Sequence, residues 1–240
     1  MHQVVQNLIK IKKEINSNLP DIKGDKIPKI IAVSKTFGME KISPLVEYGH
    51  IDFGENKVQE AIEKWTDIKL NNNDIKLHLI GGLQTNKVKL AVKLFDYIHS
   101  VDNQKLAKKI SDEQQKQNKK VKVFIQVNIG NEEQKFGVNK SYVSELYSYC
   151  KTLNLNVAGL MCIPPFGQDP SKFFDEMTKI NLDIGLEHLS MGMSSDYIKA
   201  IELNLNKKAK IVYEDMQPGD VKATYANTES LENEINFKPN

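Results

Sequence analysis

The sequence predicts an α/β fold, a single (β/α)8 TIM barrel with one extra helix ahead of the first strand. Two observations carry that reading. Short β-branched or apolar runs alternate with helical patterns along almost the whole chain, as repeated βα units feeding a parallel sheet require. The length of 240 residues matches single α/β barrels, which run to roughly 200–250 residues. The rival is an open doubly wound sheet, which normally carries a glycine-rich nucleotide turn after its first strand. Here that turn reads Val33-Ser34-Lys35-Thr36, with neither GxGxxG nor GxxxxGK[ST].

The extra helix is expected over residues 2–18. Strands are expected at 30–34, 51–53, 77–80, 97–99, 121–127, 157–163, 188–190 and 209–213. Between them, Val58, Ala61, Ile62 and Trp65 fall at i, i+3, i+4 and i+7, and Val88, Ala91, Val92 and Phe95 repeat the spacing. Phe173, Phe174, Met177 and Ile180 mark a later helix. Gly49 fits a left-handed helix cap, and Asp102 or Asn103 opens the helix after the fourth strand. Internal repeats beyond the βα unit and low-complexity segments are absent up to about residue 205.

Composition excludes whole classes of function. Lysine plus arginine number 33 against 31 acidic residues, a net charge of +2, and every basic residue is lysine. A nucleic-acid binder without one arginine would lack the planar fork that grips phosphates and guanine edges, so nucleic acid is not an expected partner. The lysines at 105, 108, 109, 116, 119 and 120 read as a solvated helix face. No run approaches the ~20 apolar residues of a membrane span. Residues 1–8 carry no long apolar stretch behind a basic start, so the cytoplasm is the expected compartment. Cys150 and Cys162 both sit in apolar runs and read as buried thiols. The five histidines, at 2, 50, 78, 99 and 188, show no HxxxH or HExxH spacing, so strand packing is expected rather than zinc. Glu132 and Glu133 sit in a polar loop and read as solubility residues.

A barrel does its chemistry at the C-terminal ends of its strands. Lys35 follows the first run, Gly54-Glu55-Asn56 the second and Gly81-Gly82-Leu83-Gln84 the third. Ser100 and Asp102 follow the fourth, Asn128 the fifth, Pro164 the sixth and Met191-Gly192-Met193-Ser194 the seventh. All are expected at one mouth. A lysine at such a strand end is either desolvated, which favours the neutral nucleophilic amine a Schiff base needs, or snorkels to solvent. The segment 190–195 leads into a helix near Tyr197 and reads either as an anion-binding helix start or as ordinary Ser/Asp capping. One lysine and one phosphate cradle on one rim are the minimal equipment for pyridoxal 5′-phosphate.

Several ordered stretches carry a family resemblance. They are Ile31-Ala32-Val33-Ser34-Lys35-Thr36, Asp52-Phe53-Gly54-Glu55-Asn56 with Val58-Gln59-Glu60-Ala61, and His78-Leu79-Ile80-Gly81 with Leu83-Gln84 and Asn86-Lys87. His99-Ser100-Val101-Asp102, Ile125-Gln126-Val127-Asn128, Gly159-Leu160-Met161 and residues 189–194 complete the set. Over residues 2–204 the chain resembles the pyridoxal phosphate homeostasis proteins. The resemblance implies a fold-type-III barrel similar to the alanine racemase N-terminal domain, with the cofactor as a Schiff base on Lys35. It also implies Asn56 beside the cofactor ring and Ser190, Gly192, Met193 and Ser194 about its phosphate. Family members bind and pass on the cofactor and have no established reaction. The implied partners are the cofactor and the cofactor-dependent apoenzymes that receive it, and a monomer or weak dimer is expected.

Past residue 204 the pattern changes. The family's arginine facing the pyridine nitrogen has no counterpart in Lys207-Lys208-Ala209-Lys210-Ile211-Val212-Tyr213, and residues 206–240 resemble the C-terminal end of nucleotide-sugar epimerases. The expected domains are therefore 1–205, the cofactor barrel, and 206–240, an atypical segment that supplies the last strand. Looser retention of the cofactor is the expected consequence. Two alternatives stand beside this reading: an amino-acid racemase-like enzyme, with Tyr213 or Tyr225 as second acid/base, and a hybrid chain that has lost the cofactor. The segment 130–137 differs from the family in carrying Phe136 where a small residue is usual.

Overall fold

A computed structural model describes residues 1–18 and 27–205. The expected strand at 209–213, the atypical segment 206–240, and with it Tyr213 and Tyr225, lie outside the described residues. The extra helix is present as α1 (Gln3–Asn18), followed by β1 (Ala32–Val33), α2 (Met39–Glu47), β2 (Asp52–Glu55), α3 (Val58–Asn71), β3 (Lys76–Leu79), α4 (Val88–Leu94), β4 (Tyr97–Val101) and α5 (Gln104–Gln117). Then come β5 (Lys122–Asn128), β6 (Val138–Asn139), α6 (Val143–Thr152), β7 (Asn156–Met161), α7 (Ser171–Asp183), β8 (His188–Ser190) and α8 (Tyr197–Leu205).

Seven strands run β1-β2-β3-β4-β5-β7-β8, every neighbouring pair parallel. The short β6 branches from the end of β5 through Val127↔Val138 and Asn128↔Asn139, a strand that the apolar pattern does not announce. β1 is also shorter than the run 30–34. Among the described residues it ladders with β2, through Ala32↔Phe53 and Val33↔Gly54.

The sheet curls. His99 of β4 hydrogen-bonds Ser190 of β8 at 2.8 Å although β5 and β7 separate those strands in the sheet order. Only a sheet bent round on itself brings such strands face to face, which is the geometry of a (β/α)8 barrel.

The outer face is apolar and covered by helices. Trp65 of α3, Phe53, Leu77, Ile98 and Ile125 of the strands, Phe95 just past α4 and Phe174 and Met177 of α7 are all wholly or almost wholly buried. Gly49 closes α2 at φ +86°, where a Cβ would be strained, and Asn103 caps α5 by accepting the Leu106 N–H at 2.8 Å. Asp102 does not cap; burial raises its carboxyl pKa. Lys108, Lys109 and Lys116 form ion pairs along α5, as a solvated face should. Lys119 departs from it: its ammonium turns inward to the carbonyls of Lys93 and Phe95, at 2.7 and 3.2 Å, and burial lowers its pKa. Cys150 and Cys162 are buried free thiols, pushed up by burial to about 11 and about 12. Among the described residues no helix is long and apolar enough to cross a membrane, and no cluster of side chains could hold a metal ion.

Gly159 lets β7 meet β8. A Cβ there would lie 1.8 Å from the carbonyl oxygen of His188, its ladder partner. Gly159→Ala should therefore force the two strands apart and lower stability by about 1–3 kcal/mol, read by urea denaturation; an unchanged midpoint would show that the strands have slack.

Candidate functional site

Side chains alternate between the two faces of a strand, so β2 sends Phe53 and Glu55 to the helices and Asp52 and Gly54 to the interior. The Phe53 ring packs on Trp65 at 4.7 Å between centroids. Glu55, expected at the mouth, lies instead on the helix side with no solvent exposure, because its position in the alternation matches Phe53. Its Oε1 accepts from Ser34 Oγ at 2.8 Å and Trp65 Nε1 at 3.0 Å, and pairs with the Lys64 ammonium at 2.8 Å. A buried carboxylate without a cation would be costly, and α3 supplies one.

The Lys64 ammonium also reaches Glu60 at 2.8 Å and the carbonyls of Ser34 and Phe37 at 2.8 and 3.2 Å. Glu60 accepts the Thr36 N–H at 2.7 Å. The turn after β1 is thereby clamped on both sides of Thr36, a β-branched residue held at φ +64°, a conformation that costs about 1–3 kcal/mol. Lys35 rides on this clamp. Lys35 lies in the turn just past β1 and is exposed. Its ammonium has no hydrogen-bond or ion-pair partner among the described residues.

The interior holds a hydrogen-bonded relay that histidine spacing did not reveal. Asp52 Oδ1 meets His78 Nε2 at 3.0 Å, His78 Nδ1 meets His99 Nε2 at 3.0 Å, and His99 Nδ1 meets Ser190 Oγ at 2.8 Å. Tyr97 stacks on His78 at 4.3 Å and Phe124 on His99 at 4.4 Å, fixing both ring planes. Burial raises the Asp52 carboxyl pKa, but the hydrogen bond and charge of His78 outweigh it and leave the pKa below the usual value. Burial, aided by the His78 charge, holds His99 well below the usual histidine value. An ionised Asp52 only accepts, so His78 donates from Nε2; with both imidazoles neutral, His99 then donates from Nε2 to His78 Nδ1 and Ser190 donates to His99 Nδ1. The one sequence signal was that Asp52, His78 and His99 all fall on strands, on their interior-facing positions.

Beyond β8 the chain turns through Gly192 at φ +84°, where a Cβ would lie 2.9 Å from Ala200 Cβ and 3.0 Å from Tyr197 Cα. Asp196 accepts the Met193 N–H at 2.5 Å, and the Asp196 and Tyr197 N–H groups bond back to the Met193 carbonyl at 3.0 and 2.9 Å. The N–H groups of Gly192, Ser194 and Ser195, and the hydroxyls of Ser194 and Ser195, have no partner among the described residues. Such a set of unpaired donors ahead of a helix suits an anion. Met193 is exposed.

Asn56 follows β2, half-buried, with no partner for its amide among the described residues; Gly81 lets the next loop close on it, a Cβ there falling 2.3 Å from the Asn56 carbonyl. Lys35, Asn56, Ser190, Gly192, Met193 and Ser194 thus all stand at the C-terminal edge of the sheet. Of the other residues expected there, Ser100 is buried, and Asn128 braces its own loop by bonding the Glu132 N–H and carbonyl at 3.1 and 2.8 Å. Glu132 pairs with Lys135 at 2.6 Å. Phe136 is exposed and lies over Gly82, its ring 3.5 Å from where a Cβ would be.

Residues 12–207 match the family model for the alanine racemase N-terminal domain. The pyridoxal phosphate homeostasis protein of Aquifex aeolicus (strain VF5) is 38% identical over 190 residues, covering 75% of this chain and 82% of the relative. PipY of Synechococcus elongatus PCC7942, solved with PLP bound, is 28% identical with a TM-score of 0.74, covering 84% of this chain and 94% of that one. Alanine racemase of Clostridium difficile 630 shares the fold, with a TM-score of 0.62 at 15% identity over 83% of this chain and 55% of that one.

Lys64→Met should cost about 3–5 kcal/mol, because it strands the Glu55 carboxylate in the core. Adding Glu55→Gln should recover part of the loss in chemical denaturation; no recovery would place the cost elsewhere. The relay sets an acid limit. His99 has its pKa lowered by folding, so the unfolded chain binds more protons below 6.5, and stability declines as pH falls through that value. Asp52, also lowered, adds a second decline below about 3.8. His50, also lowered by burial, shares the first decline; in thermal melts against pH, His99→Gln should shrink the first decline and keep the second.

Proposed function

The chain belongs to the family of pyridoxal phosphate homeostasis proteins, built on the alanine racemase N-terminal domain, and from that premise we propose that it binds pyridoxal 5′-phosphate at the C-terminal edge of its sheet. The observation that carries the reading is the pairing, on that one edge, of a lysine and a turn of anion donors that have no partners among the described residues. The residues fit the group. When bound, the cofactor supplies an aldehyde that forms a Schiff base with an amine, together with a phosphate dianion. Lys35 is the amine, and the Lys64 clamp holds the backbone on either side of it. Gly192 lets the β8–α8 turn close so that its N–H groups point at the phosphate, with Ser190, Met193 and Ser194 completing the cradle. Asn56, whose amide has no partner among the described residues, would stand beside the ring.

The relatives are named for cofactor homeostasis and not for a reaction. We assign the same role here: the protein holds the cofactor reversibly and gives it up to apoenzymes that require it. An exposed lysine and a cradle at the open end of the sheet suit exchange with solvent and with other proteins.

Incubating the protein with pyridoxal 5′-phosphate, reducing with borohydride and mapping the added mass should locate it on Lys35, with Lys35→Ala abolishing the specific label. Label scattered over surface lysines, or unchanged in Lys35→Ala, would overturn the assignment.

A further inference from the structure

The relay ends on the same Ser190 that the proposed cradle offers to a phosphate, and the two demands on its hydroxyl conflict. With both imidazoles neutral, every nitrogen back to Asp52 is satisfied when Ser190 gives its only hydrogen to His99 Nδ1. A phosphate monoester above its second pKa of about 6 is a dianion that presents only acceptors. Ser190 can meet it only by turning its hydrogen outward.

That turn propagates. His99 Nδ1, buried and now facing an oxygen lone pair, must carry a hydrogen or lose its bond, and a lost bond to a buried group costs about 1–3 kcal/mol. With the hydrogen moved to Nδ1, a neutral His99 becomes an acceptor at Nε2, so His78 must donate from Nδ1. His78 already donates from Nε2 to Asp52. Both of its nitrogens then carry hydrogen, and it is an imidazolium. The count is one proton more than before, held three hydrogen bonds from the phosphate, beside a carboxylate 3.0 Å away.

Resting on the proposed phosphate site, we infer that docking of a phosphate dianion draws one proton from solvent into the Asp52–His78–His99–Ser190 relay, and that His78 and His99 are positioning residues which turn Ser190 into a phosphate donor.

The surroundings favour His78 as the resting place. β2 sets Asp52 against it, and β4 sets the stacked Tyr97, with the Lys122 ammonium 5.5 Å over that ring, and His99. His50, beside Asp52, hydrogen-bonds the Asp52 carbonyl at 2.9 Å, and Lys12 and Lys29 act on this corner by charge. From β5 the relay meets the uncharged Phe124. The turn after β1 carries Lys35; after β7 stands the buried Cys162, and Asp196 precedes α8. His99 is the member that burial keeps from holding charge.

The test is calorimetric titration of the full chain with pyridoxine 5′-phosphate, whose alcohol cannot condense with Lys35, at pH 8 in buffers of different ionisation enthalpy. One proton should be taken up per ligand bound, and affinity should fall about tenfold per pH unit between pH 7 and 9. His78→Gln, whose amide can donate to Asp52 and accept from His99 but cannot become a cation, should bind more weakly with no proton uptake. Ser190→Ala, at the other end of the relay, should also bind without uptake and serves if His78→Gln does not fold. Binding by the unaltered protein without proton uptake, or equal uptake in either variant, overturns the relay while leaving the phosphate site standing. Absence of any binding by the unaltered protein overturns the phosphate site and the relay with it.

Discussion

Glu55 has no access to water and so must be met by a positive group, and the arrangement of the site follows from how that is done. Lys64 reaches it from α3, and the same ammonium collects Glu60 and the carbonyls of Ser34 and Phe37. One charge thus joins β2, α3 and the turn after β1. The strained Thr36 persists because three contacts over-determine its turn, and the turn that carries Lys35 is held by the same cation that satisfies the Glu55 carboxylate.

The interior is built differently from the helix-facing side. Many barrels fill their axis with layers of branched apolar side chains. Here Asp52, His78, His99 and Ser190 run across part of it as a single hydrogen-bonded line, sandwiched between Tyr97 and Phe124. Such a line is demanding, because each histidine must donate on one side and accept on the other. It also ties β8 to β4 across the lumen, so the strand that leads into the β8–α8 turn is held from inside as well as by its ladder with β7.

The family likeness and the geometry support each other at different levels. The match to the alanine racemase N-terminal domain and the likeness to PipY account for the parallel order and the edge at which polar residues gather. Two features specific to side-chain placement stand behind that edge: the Lys64 clamp bonds the backbone on either side of Lys35, and the relay bonds Ser190 itself.

By itself the sequence determined the element order. Apolar spacing placed α3, α4 and α7, alternation of short runs placed seven strands, and Gly49 and Asn103 marked their boundaries, because these are local properties of chain stiffness, capping and burial period. It also singled out Lys35, Asn56 and residues 190–194 as edge residues, since position after a strand is legible in one dimension. Which face a residue takes, and what it meets there, was decided by tertiary structure. Glu55 reads as one more mouth residue until the register of β2 sends it to the helices, and Lys119 reads as solvated until the carbonyls that close α4 come within reach. The histidines read as strand packing because His99 and Ser190, 91 positions apart, meet only when the sheet curls. A hydrogen bond depends on distances of a few tenths of an ångström between groups brought together by every intervening element, and no local pattern encodes that sum.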